Sequence, residues 1–198
     1  MSQSLQEAKT FFKATNRDAT NDLLFDTTID IANALGVEYS TLAHLDSEFQ
    51  IENLKGIYLT NDSNTILLDE DLVKSGDTLG SVVLLHELIH AVTFRVIMCA
   101  ECAETQALLS PKQLKGYAKI YEIYHQLALK YPQYVYEEGK NMGIYGLKDV
   151  HEFVSELAQE YFRNFLEQEG VYDDVIDAYE EIIYYPDAQR FTPFSKLR

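Results

Sequence analysis

His86-Glu87-Leu88-Ile89-His90 is the stretch of this sequence whose residue types and spacing could do chemistry. On a helix, residues four apart share one face, with Cβ atoms about 5–6 Å apart. His86 and His90 can therefore offer two imidazole nitrogens to one zinc ion. Glu87 sits at the edge of that face. It is poorly placed to ligate the ion and well placed to hold a water bound to it. The helix that must carry the three is legible as well. Ser81 to Glu101 contains no Gly or Pro, and Val82, Val83, Leu85, Leu88, Ile89 and Val92 surround the motif. This composition reads as a helix buried on most sides. Two histidines and a glutamate there carry a desolvation cost that a bound metal offsets. The bland alternative is a pair of hydrogen-bonded core histidines beside a solvated Glu87.

A catalytic zinc needs three protein ligands and an open position. The metzincin continuation fails, because the required Gly and His positions hold Thr93 and Val96. The best remaining source is His151-Glu152-Phe153-Val154-Ser155-Glu156. Glu152 and Glu156 are four apart, near the start of a second strong helix, where the helix dipole favours carboxylates. One could ligate zinc while the other accepts from a zinc histidine. The residues themselves do not rank the two, and a pair of exposed charges steadying a helix start remains open. His151 neighbours the ligand candidates but points about 100° away on the helix, which suits a structural role.

An HExxH motif followed on another helix by Glu-x-x-x-Glu resembles the gluzincin metallopeptidases. That resemblance implies a zincin-like fold, with Glu152 as third zinc ligand and Glu156 supporting a zinc histidine. Tyr145-Gly146-Leu147-Lys148-Asp149-Val150-His151-Glu152-Phe153 carries a tighter likeness. A Tyr seven residues before the ligand Glu is similar to the catalytic domain of anthrax lethal factor and to the Pro-Pro endopeptidases. The run from Tyr145 through Glu156 also resembles metallopeptidase domains of phage-encoded proteins. By that likeness Tyr145 donates to the substrate oxyanion. The resemblance spans roughly Gly56 to Phe162. The stretch between His90 and Glu152 is longer than in those relatives, and the Pro111 to Tyr131 helix reads as an insertion.

Composition bounds the rest. The chain has 198 residues, 46% apolar and 12% aromatic, which suits one globular domain, 1–198. Net charge is −16, from 32 acids and 16 bases. No basic patch is evident, which argues against nucleic acid. The acidity serves solubility, and it would favour a neutral or basic peptide over an acidic one. Met1 to Glu7 lacks a basic start and an apolar h-region, so a cytoplasmic location is the default, with release by another route left open. No apolar run is expected to span a membrane. Cys99-Ala100-Glu101-Cys102 is half of a zinc ribbon without its partner pair and reads as two free thiols.

The elements are expected in three groups. N-terminal helices cover 4–35: one from Ser4 to Thr15, closed by Asn16-Arg17-Asp18, and one capped by Asn21 and stopped at Gly36. Tyr39 to Leu45 reads as a short helix, and His44 as structural or exposed. The sheet and motif helix cover 56–101. Gly56–Thr60 and Thr65–Asp69 form a hairpin about the turn cluster Asn61 to Asn64, and Asp77 caps the motif helix. The helical half covers 110–185, with a tyrosine-rich helix from Ser110-Pro111 to Lys130, another from Val150 to Glu169, and a last from Tyr172 to Tyr184, ended by Pro186. Gln133 to Lys148, with three glycines, reads as loop. The expected fold is α+β and mostly helical, the hairpin packing on the motif helix. Thr65–Leu68 is the candidate edge strand, to which an extended peptide or protein substrate could add beside the metal.

The reaction expected from these parts is peptide hydrolysis with one Zn2+ held by His86, His90 and Glu152. Glu87 is the general base and Tyr145 the oxyanion donor. A zinc-binding interaction module without activity is the alternative.

Overall fold

The computed structural model describes residues 5–15, 18–44, 54–60, 64–135 and 143–185. Met1 to Ser4, Asn16-Arg17, Leu45, Asn61 to Ser63 of the expected turn, Gly139 and Pro186 lie outside the described residues. The fold is α+β and mostly helical, with one small sheet. By contact the chain groups into two compact units, Met1–Val92 with Tyr185–Arg198, and Thr93–Tyr184. The long helix Thr78–Glu101 is continuous through the boundary.

The first unit opens with α1 (Leu5–Thr15) and α2 (Ala19–Ala34), joined across their buried faces by Phe12 stacked on Phe25 at 3.8 Å. The α2 cap is Asp18, not Asn21. The Asp18 carboxylate accepts from the Thr20 and Asn21 amides, and an acceptor just outside the helix is where orphan N–H groups are met. Asn21 lies buried in the first turn. Gly36, at φ 69°, takes the left-handed position that ends the helix.

The sheet corrects two expectations. Glu38–Thr41 is a strand, β1, and only Leu42–His44 forms a helical turn, of the 3₁₀ type. The hairpin strands are β2 (Gly56–Leu59) and β3 (Thr65–Leu68), and the order across the sheet is β1-β3-β2. Hence Thr65–Leu68 is not an edge strand. It pairs parallel with β1 and antiparallel with β2, and all four of its residues are buried. A strand bonded on both sides has no N–H or C=O row to offer a peptide. Asn64 fixes the register at the head of β3. At φ 45° it takes Tyr58 Oη on its carbonyl at 2.6 Å, and its amide donates to Leu35 O at 2.9 Å.

A short α3 (Glu70–Ser75), capped by Asp69, precedes α4 (Thr78–Glu101). Asp77 caps α4 as expected, accepting from the Gly80 amide at 3.0 Å. Leu84, Leu85, Leu88, Ile89 and Val92 are fully buried. By length and composition, α4 is apolar enough to cross a membrane, contrary to the expectation that no stretch is. Buried core helices share that property, and α4 carries Glu87 and two histidines in mid-span.

In the second unit α5 (Pro111–Lys130) begins with the capping box expected at Ser110, whose hydroxyl and amide pair with Gln113. It lies against α8 (Tyr172–Ile182) so closely that a methyl on Gly116 would stand 2.7 Å from Ala178 O and 3.0 Å from Ile182 N. Those atoms are backbone and cannot swing aside. Gly116→Val is therefore expected to lower stability by about 2 kcal/mol or more, the scale of forcing two packed elements apart, read as a lowered melting temperature.

The helix expected from Val150 to Glu169 is broken. α6 (Val150–Ser155) passes into a 3₁₀ turn at Glu156–Ala158, Gln159 is extended, and α7 (Glu160–Gln168) follows. The buried Arg163 guanidinium donates to Leu157 O at 2.8 Å and so satisfies a carbonyl at the break. No Gly or Pro marks this place in the sequence.

Candidate metal centre

α4 brings His86 and His90 together as four-residue spacing requires. Their Nε2 atoms are 3.1 Å apart and their rings cross at 74°. Two nitrogens bonded to one tetrahedral ion at about 2.0–2.1 Å would stand roughly 3.4 Å apart. The observed separation is that of a direct hydrogen bond between the two rings, and it is about 0.3 Å short of the spacing on a shared ion. Glu87 lies beside them, 7% exposed. A Cβ on Gly56, the first residue of β2, would stand 2.7 Å from Val83 Cγ1 and 3.1 Å from Glu87 Cγ. Only a glycine lets β2 approach the motif helix this closely. A glycine at the head of a strand is the signal that could have shown it.

The third carboxylate is held by its own short stretch of chain. Tyr145–Leu147 is a 3₁₀ turn whose Gly146 lies flat against Phe162, where any Cβ would come to 2.5 Å from the ring. Asp149 then caps α6, its carboxylate accepting from the Glu152 amide at 2.9 Å. The Glu152 side chain is 12% exposed. Its Oε1 accepts from Tyr145 Oη at 3.0 Å and from Lys148 Nζ at 3.3 Å, and its Oε2 from Ser155 Oγ at 3.3 Å. Burial first, and then the Glu152 charge, push the Tyr145 phenol up to about 12, against the opposing effect of Lys148. Tyr145 is therefore protonated at neutral pH and acts as a donor. Burial opposes the Lys148 ammonium, but Glu152 and Tyr145 outweigh it and hold Lys148 above its ordinary value.

The ligand atoms of His86, His90 and Glu152 all lie within 4.8 Å of one another. This group could hold a metal ion. Two imidazoles and a carboxylate are a donor set that suits zinc, and they leave a fourth position of a tetrahedron for water. Glu156 is not in the group. It is 3% exposed, lies beyond the end of α6, and accepts a hydrogen bond from the Tyr161 hydroxyl. Burial, and then the Glu156 charge, raise the Tyr161 phenol, with smaller contributions from Tyr145 and Glu152.

His151 packs against Phe94 at 4.9 Å and takes no part in the group. His125 is exposed beside Tyr121 on α5. Cys99 and Cys102 are free thiols, and Cys102 donates to Glu104. Lys148, Ser155 and Tyr161 were not read from the sequence as belonging near the site. Lys148 is within reach of the sequence: it stands three residues after Tyr145, the spacing that sets side chains over one another in a 3₁₀ turn. No known protein family, curated protein or solved structure matches the chain.

Proposed function

We infer that this chain is a zinc-dependent endopeptidase of gluzincin type, with a zincin-like fold. The observation that carries the reading is the grouping of His86, His90 and Glu152, with Tyr145 hydrogen-bonded to the third member. His86, His90 and Glu152 would hold the ion. Zinc bound there supplies Lewis-acid chemistry, acidifying a coordinated water and polarising a carbonyl.

The chain's own residues do the rest. Glu87 accepts the proton of the attacking water as the water oxygen bonds to the peptide carbonyl carbon. It returns that proton to the departing nitrogen as the C–N bond breaks. Tyr145, kept protonated, donates to the oxyanion that develops on the former carbonyl oxygen. Glu156, held by Tyr161, is the carboxylate to which the gluzincin reading gives the support of a zinc histidine. The substrate is a peptide or protein segment lying extended along β2. That strand pairs with β3 on one side only among the described residues, and its Gly56 packs on Glu87. A neutral or basic segment suits a chain of net charge −16.

The test is elemental analysis of protein purified without chelator, together with hydrolysis of a broad peptide library. One zinc per chain and chelator-sensitive cleavage are expected. Zinc with no cleavage across the library would instead make this a binding module, and no zinc at all would remove the reading. Within it, Tyr145→Phe is expected to keep zinc and to lower turnover by about 10²-fold, the scale of one lost oxyanion donor. Equal turnover in the Phe variant, measured on the same peptide, would exclude that role for Tyr145.

A further inference from the structure

Tyr145, Lys148 and Glu152 lie on one short path of chain, and their spacing makes a relay. In the 3₁₀ turn that starts at Tyr145, side chains three apart stand over one another. The Lys148 amide closes that turn on Tyr145 O at 3.0 Å. Lys148 precedes the extended cap residue Asp149, and its side chain reaches across that cap to Glu152 in the first turn of α6. Lys148 thus closes the first turn and meets the carboxylate of the helix that follows. Its Nζ is 3.4 Å from Tyr145 Oη and 3.3 Å from Glu152 Oε1, and Tyr145 Oη is 3.0 Å from that same carboxylate oxygen.

An ammonium only donates, an ionised carboxylate only accepts, and a phenol does both with a single proton. With Lys148 donating to the phenol oxygen, the Tyr145 proton is directed away from Lys148 and toward negative oxygen. Donation into a phenol also strengthens the phenol as a donor. An ordinary surface ion pair between residues four apart would do neither, and would contribute little. Here the pair is shared with a third group, and the carboxylate side of it is 12% exposed while the lysine reaches solvent at 40%.

We propose that Lys148 is a positioning residue for Tyr145, fixing the direction of the phenol proton and strengthening it as the donor that meets the substrate oxyanion. This rests on the peptidase reading for its consequence, though not for its geometry. It adds to that reading a residue that touches neither metal nor substrate.

The experiment has two readouts. The first needs no activity: hydrogen exchange of the Tyr145 hydroxyl proton, followed by NMR in protein labelled at tyrosine Cζ and freed of metal. Lys148→Met is expected to speed that exchange by about 10-fold, and Lys148→Arg to keep it slow. Unchanged exchange in the Met variant overturns the proposal. The second is hydrolysis by the zinc-loaded protein. Lys148→Met is expected to lower kcat by about 10-fold with KM and zinc content unchanged, and to cost nothing further when Tyr145 is already Phe. An equal loss in both backgrounds, or no loss, overturns it. A wild-type chain that cleaves nothing defeats the peptidase reading, and the hydroxyl exchange then decides the lysine alone.

Discussion

Glu87→Gln is expected to keep one zinc ion per chain and to lower peptide hydrolysis by about 10²–10⁴-fold, the range for losing a general base. Gln keeps the shape of the side chain, its packing against Gly56 and one carbonyl oxygen. It loses the ability to take a proton. Neither His86 nor His90 is altered, so the metal donors stay in place at their 3.1 Å separation. Zinc stoichiometry and turnover measured on one preparation check both halves. Retained turnover in the Gln variant would move the base elsewhere. Loss of zinc would make Glu87 part of the coordination and not of the proton path.

The second large effect separates the two glutamates. Glu152→Ala is expected to abolish tight zinc binding, because two histidines alone leave the ion without its third protein donor. The same change frees Tyr145 and Lys148 of their shared acceptor, so turnover restored by excess zinc is expected to stay below that of the unaltered chain. Glu156→Ala is expected to cost only about 10–100-fold in metal affinity or activity, the range for a group that supports ligands from behind. Chelator competition on the two variants decides between them. If Glu156→Ala lost zinc while Glu152→Ala kept it, the ligand would lie one turn further along the chain.

Much of the candidate site is legible in the sequence. His86, Glu87 and His90 announce themselves because helical spacing is local: once 81–101 reads as a helix, the geometry of three of its residues follows. The caps at Asp77 and Ser110 are local in the same sense, each a side chain meeting an amide a few residues on. The cap of α2 lies three residues before the one the sequence suggests, since Asp18 and Asn21 are equally good acceptors by type. Burial of Asn21 within the first turn is decided by the rest of the unit.

What lay beyond the sequence depends on contacts between distant residues. Glu152 and Glu156 are equivalent by type and spacing. They part because the helix breaks after Ser155, with Arg163 holding the freed Leu157 carbonyl and Tyr161 holding Glu156. β1 and β3 are equally short, but β1 is polar apart from Tyr39, and nothing local marks it as the strand that flanks β3. Pairing with β1, itself too short to show a period, makes β3 internal and leaves β2 at the margin, where Gly56 meets Glu87. Periodicity names the groups that can do chemistry. Only pairing between elements far apart in sequence decides which strand lies beside the motif helix.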